Sequence, residues 1–217
     1  MAMYIILLAT VSGLPLKAQN LKEDPVLDKK VKEFLDDRSG KWRDLNVPAV
    51  DGQILYDIVV KNNYKSALEI GTSTGHSAIW IAWALSKTGG KLITIDIDEE
   101  RQKTALANFK EAGLSAYIDA RLADAHSLVK ELKGPFDFVF SDADKDWYKQ
   151  YFVDVDPKLK VGGCFTAHNI TDRGKNSSGW KSGQDIFLEH IRSLKNYETT
   201  VNSSGGGISV SYKKAEN

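Results

Sequence analysis

Ser66 to Ser86 reads SALEIGTSTGHSAIWIAWALS. Ser66 to Ile70 is a short apolar run, expected as a buried strand, and Gly71-Thr72-Ser73-Thr74-Gly75 is a turn. His76 to Ser86 follows as a helix, with Ile79, Trp80 and Trp83 facing inward. A strand, a glycine turn and a helix form the opening unit of an open α/β sheet, and such sheets bind ligands at the carboxyl ends of their strands. Glycines let backbone approach a ligand, and the helix N-terminus offers unpaired N–H groups. The spacing is G-x-x-x-G. It is neither the G-x-G-x-x-G of dinucleotide binders nor a phosphate loop, which needs Gly-Lys-Ser/Thr.

Outward from this unit, strands alternate with helices. Lys91 to Asp96 (KLITID), Ala116 to Arg121, Phe136 to Ser141 and Gly163 to Ala167 read as further strands. Asp98-Glu99-Glu100 opens a helix, its acids at the positive end. Asp24 to Asp37, and a stretch through Ile54, Leu55, Ile58 and Val59, read as helices before the first strand. Tyr197 to Asn202 and Gly207 to Tyr212 alternate as an antiparallel hairpin. The expected class is α/β, with a mostly parallel central sheet covered on both faces and a C-terminal antiparallel hairpin. The long polar loop Thr171 to Gln184 (TDRGKNSSGWKSGQ) has a length that is often functional.

The chain has 217 residues, with 29 Lys+Arg against 29 Asp+Glu. A net charge of zero argues against a general nucleic-acid binder. It is 42% hydrophobic and 27% charged, which excludes a disordered or fibrous chain. Cys164 is the single cysteine, so no intramolecular disulfide forms. Residues 1–18 (MAMYIILLATVSGLPLKA) differ from the rest. Tyr4 to Leu16 is uncharged for 13 residues, too short for a stable membrane span. It suits a signal-like segment cleaved after Leu16-Lys17-Ala18, although no Lys or Arg precedes it. The alternative is an apolar helix packed on the domain. Residues 19–217 are expected to form one domain.

Asp96 ends the second strand, 25 residues after Gly71, where a carboxylate can accept both hydroxyls of a ribose. Its ordinary alternative is a helix N-cap, a role better filled by Asp98. Asp124-Ala125 follows the next strand, beside the place for an adenine. Together these read as an adenosine pocket without a pyrophosphate grip, which suits S-adenosylmethionine better than NAD. Ser141-Asp142-Ala143-Asp144-Lys145-Asp146 crowds three carboxylates and a lysine at a strand end, costly unless a cation binds. The next strand ends in His168-Asn169. Asp142, His168 and Asn169 therefore converge, and all three can ligate a metal. The competing reading is capping by Asp142 or Asp144 plus a satisfied core histidine.

These motifs give the chain its resemblance. NVPAVDGQIL, ALEIGTSTGHSAI, ITIDID, FDFVFSDADKDWY, KVGG with HNI, and GGGISVSYKK resemble the cation-dependent O-methyltransferases of catechol and caffeoyl-CoA type, in their bacterial branch. The likeness runs from Asn46 to Tyr212. It implies a Rossmann-like class I S-adenosylmethionine-dependent methyltransferase fold and O-methylation of a vicinal-diol aromatic. By resemblance, the carbonyl of Val47 and the hydroxyl of Ser77 hold the amino-acid end of the cofactor. Glu69 and Gly71 line its floor, Asp96 takes the ribose, and Asp124 with Ala125 flanks the adenine. Asp142 and Asn169 match cation ligands, and Lys145 matches the general base.

The family's third ligand is usually an aspartate, and here it is His168. Mg²⁺ prefers oxygen ligands, so an imidazole shifts preference toward Mn²⁺, Co²⁺ or Zn²⁺. His76 stands beside the methionine end of the cofactor, and His126 and His190 are expected on helix surfaces. Trp147, Trp180 and the loop from Arg173 to Lys181 are candidates to cover the substrate, with core packing the equal alternative for Trp147. Two other functions stay open: O-methylation of a hydroxylated tRNA base, which the charge balance disfavours, and a non-catalytic exported ligand-binding domain. Cofactor supply points to the cytoplasm and the N-terminus to export. An N-terminal helix could serve a homodimer.

Overall fold

The computed structural model describes residues 21–42, 44–172 and 181–216. The signal-like segment and the loop residues Arg173, Lys175 and Trp180 lie outside the described residues. Seven strands form one sheet: β1 (Ser66–Ile70), β2 (Lys91–Asp96), β3 (Ile118–Leu122), β4 (Phe136–Ser141), β5 (Leu159–His168), β6 (Tyr197–Asn202) and β7 (Ile208–Lys213). Their order is β3-β2-β1-β4-β5-β7-β6. The first five strands run parallel, and β7 and β6 return antiparallel. The helices are α1 (Pro25–Asp37), α2 (Ala49–Lys61), α3 (His76–Thr88), α4 (Glu99–Ala112), α5 (Ala125–Glu131), α6 (Tyr148–Val155) and α7 (Gly183–Ser193). No described helix is long and apolar enough to cross a membrane.

The period of two in the strands divides the core. Ala67, Phe138 and Phe140 lie on the face covered by α2 and α3, with Leu55, Val59 and Leu85. Leu68, Ile70 and Val139 lie on the other, with Tyr148, Phe152, Phe165 and Phe187. Each fully buried Phe contributes about 1.5–3 kcal/mol by transfer from water. Helix α3 is buried at every one of its 13 residues, beyond the expected inward stripe of Ile79, Trp80 and Trp83. A helix apolar all round has to be covered all round.

Three strands differ in their bounds from the sequence reading. Strand β5 starts at Leu159, before the expected Gly163, because Gly162 takes a positive φ of 84° and a bulge forms. Strand β3 starts after a short 3₁₀ turn at Ser115–Tyr117. Strand β7 runs from Ile208 to Lys213, one residue on from the expected span.

The turn into α3 is tightly constrained. Gly75 has φ 97°, and a Cβ there would lie 2.5 Å from Cε1 of Phe109 and 3.3 Å from Cβ of Ala105, both on α4. Gly75→Ala should cost about 2 kcal/mol or more, from backbone strain and overpacking together. Urea unfolding measures it, and an unchanged midpoint would contradict this packing.

Candidate active site

The carboxyl ends of the parallel strands open onto a cavity of about 760 Å³. Gly71, Asp96, Asp124, Ala125 and Asp142 line it, as do Lys145, His168 and Asn169. Val47, Glu69 and Ser77 do not.

The amides of Gly71 and Thr72 both donate to the carbonyl of Ile95, at 2.9 and 3.1 Å, fastening the turn to β2. Asp96 Oδ2 accepts from Ser73 N–H at 2.6 Å and Oδ1 from Asp98 N–H at 2.9 Å. The carboxylate is thereby aimed at the cavity edge. Asp98 caps α4, accepting from Arg101 N–H at 2.9 Å, as expected. Asp124 both borders the cavity and caps α5 through His126 N–H at 2.9 Å. The ring of His126, half-buried on α5, stacks on Trp147 at 3.8 Å and 17°. Trp147 does not line the cavity itself and packs beside Tyr151 against the core.

Glu69 lies fully buried beneath this floor. Burial raises its pKa to about 8, against hydrogen bonds from Ser77 and Thr94, while Asp142 and Asp96 add to the rise. Glu69 accepts from Thr94 Oγ1 at 2.5 Å. His76 is also buried. Trp80 Nε1 donates to its Nε2 at 3.1 Å, so its Nδ1 carries the proton, 2.8 Å from the Val47 carbonyl. Burial lowers its pKa and keeps the ring neutral. The Val47 carbonyl, expected at the amino-acid end of the cofactor, therefore already accepts one hydrogen bond. Val47 and His76 line a second cavity of about 550 Å³, with Trp42 and Trp80.

Asp142 is carried to the cavity by a strand-like bond from its N–H to Ile70 O, 2.8 Å. Its Oδ1 pairs with Lys145 Nζ and accepts from Tyr148 OH at 3.3 Å. Its Oδ2 is 3.1 Å from His168 Nδ1. The other ring nitrogen of His168, Nε2, is 2.9 Å from Oδ2 of Asp51. Burial lowers the pKa of His168, but the hydrogen bonds and charges of Asp142 and Asp51 outweigh it and the net shift is upward. The ring therefore holds both protons to higher pH than a free imidazole. Asn169 follows at φ 55°, exposed on the cavity wall.

Two ligands about 2.1 Å from one cation, at right angles, stand about 3 Å apart. Asp142 Oδ2 and His168 Nδ1 have that spacing and Asn169 lines the same cavity, so the donor types suit a divalent cation. Among the described residues no group of three or more His, Cys, Asp or Glu is arranged to hold a metal ion. The third donor here is an amide. The sequence reading missed Asp51. Its place inside NVPAVDGQIL, in the first turn of α2, gave no sign of complete burial.

A family model described as O-methyltransferase matches residues 18–194. Catechol O-methyltransferase of Niastella koreensis is 36% identical over 135 residues, 60% of this chain and 61% of that protein. Caffeoyl-CoA O-methyltransferase 1 of Eucalyptus globulus is 35% identical over 138 residues, 61% of this chain and 56% of that protein. The matches thus span about six-tenths of these curated relatives. An O-methyltransferase from Bacillus cereus, solved in complex with SAH, superposes with a TM-score of 0.71 at 25% identity, covering 86% of this chain and 91% of that one.

The burial of Glu69 has a measurable consequence. Its folded pKa lies above the ordinary value of an unfolded glutamate, so the native state holds an extra proton between about pH 4.5 and 8 and loses relative stability as pH rises through that window. Glu69→Gln removes the titration and keeps the shape. Its melting temperature relative to wild type should be higher at pH 8 than at pH 5. An equal difference at both would show that Glu69 is ionised in the fold.

Proposed function

Because the chain belongs to the O-methyltransferase family, we propose that it moves the methyl group of S-adenosylmethionine onto one oxygen of a small aromatic vicinal diol, with a divalent cation held by Asp142, His168 and Asn169. The observation that carries this reading is the meeting, on one cavity, of the Gly71 turn and Asp96 with Asp142, Lys145, His168 and Asn169. The relatives named for catechol and caffeoyl-CoA support the diol, since catechol and the caffeoyl group both bear adjacent hydroxyls. The SAH bound in the Bacillus cereus enzyme supports the cofactor, being what S-adenosylmethionine becomes after giving up its methyl.

Each residue then has a task. Asp96, its oxygens oriented by Ser73 and Asp98 amides, accepts from the ribose hydroxyls. Asp124 and Ala125 border the adenine, and glycine at 71 leaves the cavity wall without a side chain. The cation, when bound, supplies Lewis acidity that favours ionisation of the diol and fixes both its oxygens. Lys145, beside Asp142, acts as general base in its neutral form: its own proton goes to solvent first, and its Nζ then takes the hydroxyl proton. The cavity walls hold the oxygen in line with the sulfonium methyl, which contributes through orientation. Sulfonium charge is lost during transfer, so the carboxylates near it serve best when balanced by cations of the protein. With one imidazole among the donors, the site favours Mn²⁺, Co²⁺ or Zn²⁺ over Mg²⁺.

Methyl transfer from S-adenosylmethionine should be followed over catechols, caffeic derivatives and matched monophenols, after EDTA stripping and with each cation added back. Only vicinal diols should be methylated, and Mn²⁺ or Co²⁺ should restore more activity than Mg²⁺. Lys145→Ala should lower kcat by about 10²–10⁴, the usual contribution of a general base. Full turnover in EDTA, or equal turnover of monophenols, would contradict the proposal.

A further inference from the structure

We propose that Asp51 is a positioning residue that fixes the ring of His168 with Nε2–H donated inward, leaving Nδ1 as the nitrogen presented to a cation beside Asp142; this rests on the proposed role of His168 as a cation ligand. Asp51 is 0% exposed although it is a carboxylate. It has no duty to its own helix, because α2 has no side-chain capping bond and its N-cap is Pro48. Its Oδ2 accepts from two donors, His168 Nε2 at 2.9 Å and Gly206 N–H at 2.7 Å. Its Oδ1 has no hydrogen-bond partner. A carboxylate this buried is costly unless paired. The imidazole ring of His168 is the side chain that meets it.

The β6–β7 turn is built to press on this pair. A Cβ on Gly206 would come within 2.5 Å of His168 Nε2, and one on Gly205 would run into the Asp51 carboxylate. Gly207 has φ 88°, and its carbonyl accepts from Ile170 N–H at 3.1 Å, closing the turn over the end of β5. Three successive glycines therefore let backbone seal the Nε2 side of the ring. The Nδ1 side faces Asp142 Oδ2 at 3.1 Å, in the cavity that Asn169 also lines. A ligating imidazole commonly donates its second N–H to a carboxylate, which fixes the tautomer and makes the ligating nitrogen more basic. A carboxylate at 168 would have no N–H to give Asp51 and would face it with like charge. The Asp51 side chain and the glycine turn are thus the supporting shell that a histidine here requires.

The test titrates EDTA-stripped full-length protein with Mn²⁺ by calorimetry and records pulsed electron paramagnetic resonance of the Mn²⁺-loaded protein. Wild type should show coupling to a directly bound ¹⁴N that His168→Ala abolishes. Asp51→Ala should weaken Mn²⁺ binding by about 10–100-fold, and Asp51→Asn, whose amide oxygen can still accept from Nε2–H, should recover part of the loss. If the ¹⁴N coupling is present but Asp51→Ala binds Mn²⁺ as wild type does, Asp51 does not position the ring, while His168 stands as a ligand. If wild type lacks the coupling and His168→Ala binds equally well, the ligand reading fails and takes the proposal with it. Should Asp51→Ala not fold, ¹⁵N spectra of Zn²⁺-loaded wild type decide. A proton on Nε2 and none on Nδ1 of His168 agrees with the proposal, and the reverse overturns it.

Discussion

The site depends on how closely the turn after β1 passes the turn after β4. Gly71, at φ 99°, lies so near that a Cβ would stand 2.7 Å from the carbonyl oxygen of Asp142. Two backbone bonds set this approach: Gly71 N–H to Ile95 O on one side and Asp142 N–H to Ile70 O on the other. The first aligns the glycine turn with Asp96, and the second lifts Asp142 into the cavity. A side chain at 71 would separate the two halves of the site. Within the proposed function, that would part the cofactor from the cation.

Around this junction the protein gathers acids it has to neutralise. Burial raises the pKa of Glu69 and so favours its protonated form. Asp142 is neutralised by Lys145 and, across the ring, by His168, whose other nitrogen serves Asp51. Backbone amides hold Asp96. The charges of the site are therefore balanced by protons and by a lysine. In the proposed reaction these groups change state: the Nδ1 proton is given up to solvent, and Lys145, having lost its own proton to solvent, accepts the one from the substrate hydroxyl. Stability spent on this arrangement is recovered in the core, where α3 is enclosed on every side.

Much of this was legible in the sequence because it was local. The strand SALEI, the glycine turn and the apolar helix behind it have one backbone solution, and strands β1, β2, β4 and β6 fall where alternation or an apolar run placed them. Asp98 was readable as a cap because the acids that follow it mark a helix start. Asp142, His168 and Asn169 were readable as convergent because parallel neighbours bring their carboxyl ends together. The start of β5 was not, since Gly162 and Gly163 resemble a strand break and instead allow a bulge. Asp51 was not, since it meets His168 across 117 positions of chain. The available signal was the glycine triplet at 205–207, whose missing side chains make room for the buried pair. His76 was placed near the cofactor, yet its bond to the Val47 carbonyl came only from the three-dimensional contact.

The central claim is that His168 serves as a nitrogen ligand where a third carboxylate would otherwise stand. Crystals soaked with Mn²⁺ and S-adenosylhomocysteine, measured for anomalous scattering, test it directly. The account predicts one strong peak about 2.0–2.3 Å from His168 Nδ1, with an oxygen of Asp142 and the Asn169 amide oxygen in the same shell and Nε2 still against Asp51. A cation bound by Asp142 and Asn169 with the His168 ring beyond coordination distance, still bridging the two aspartates, would contradict it.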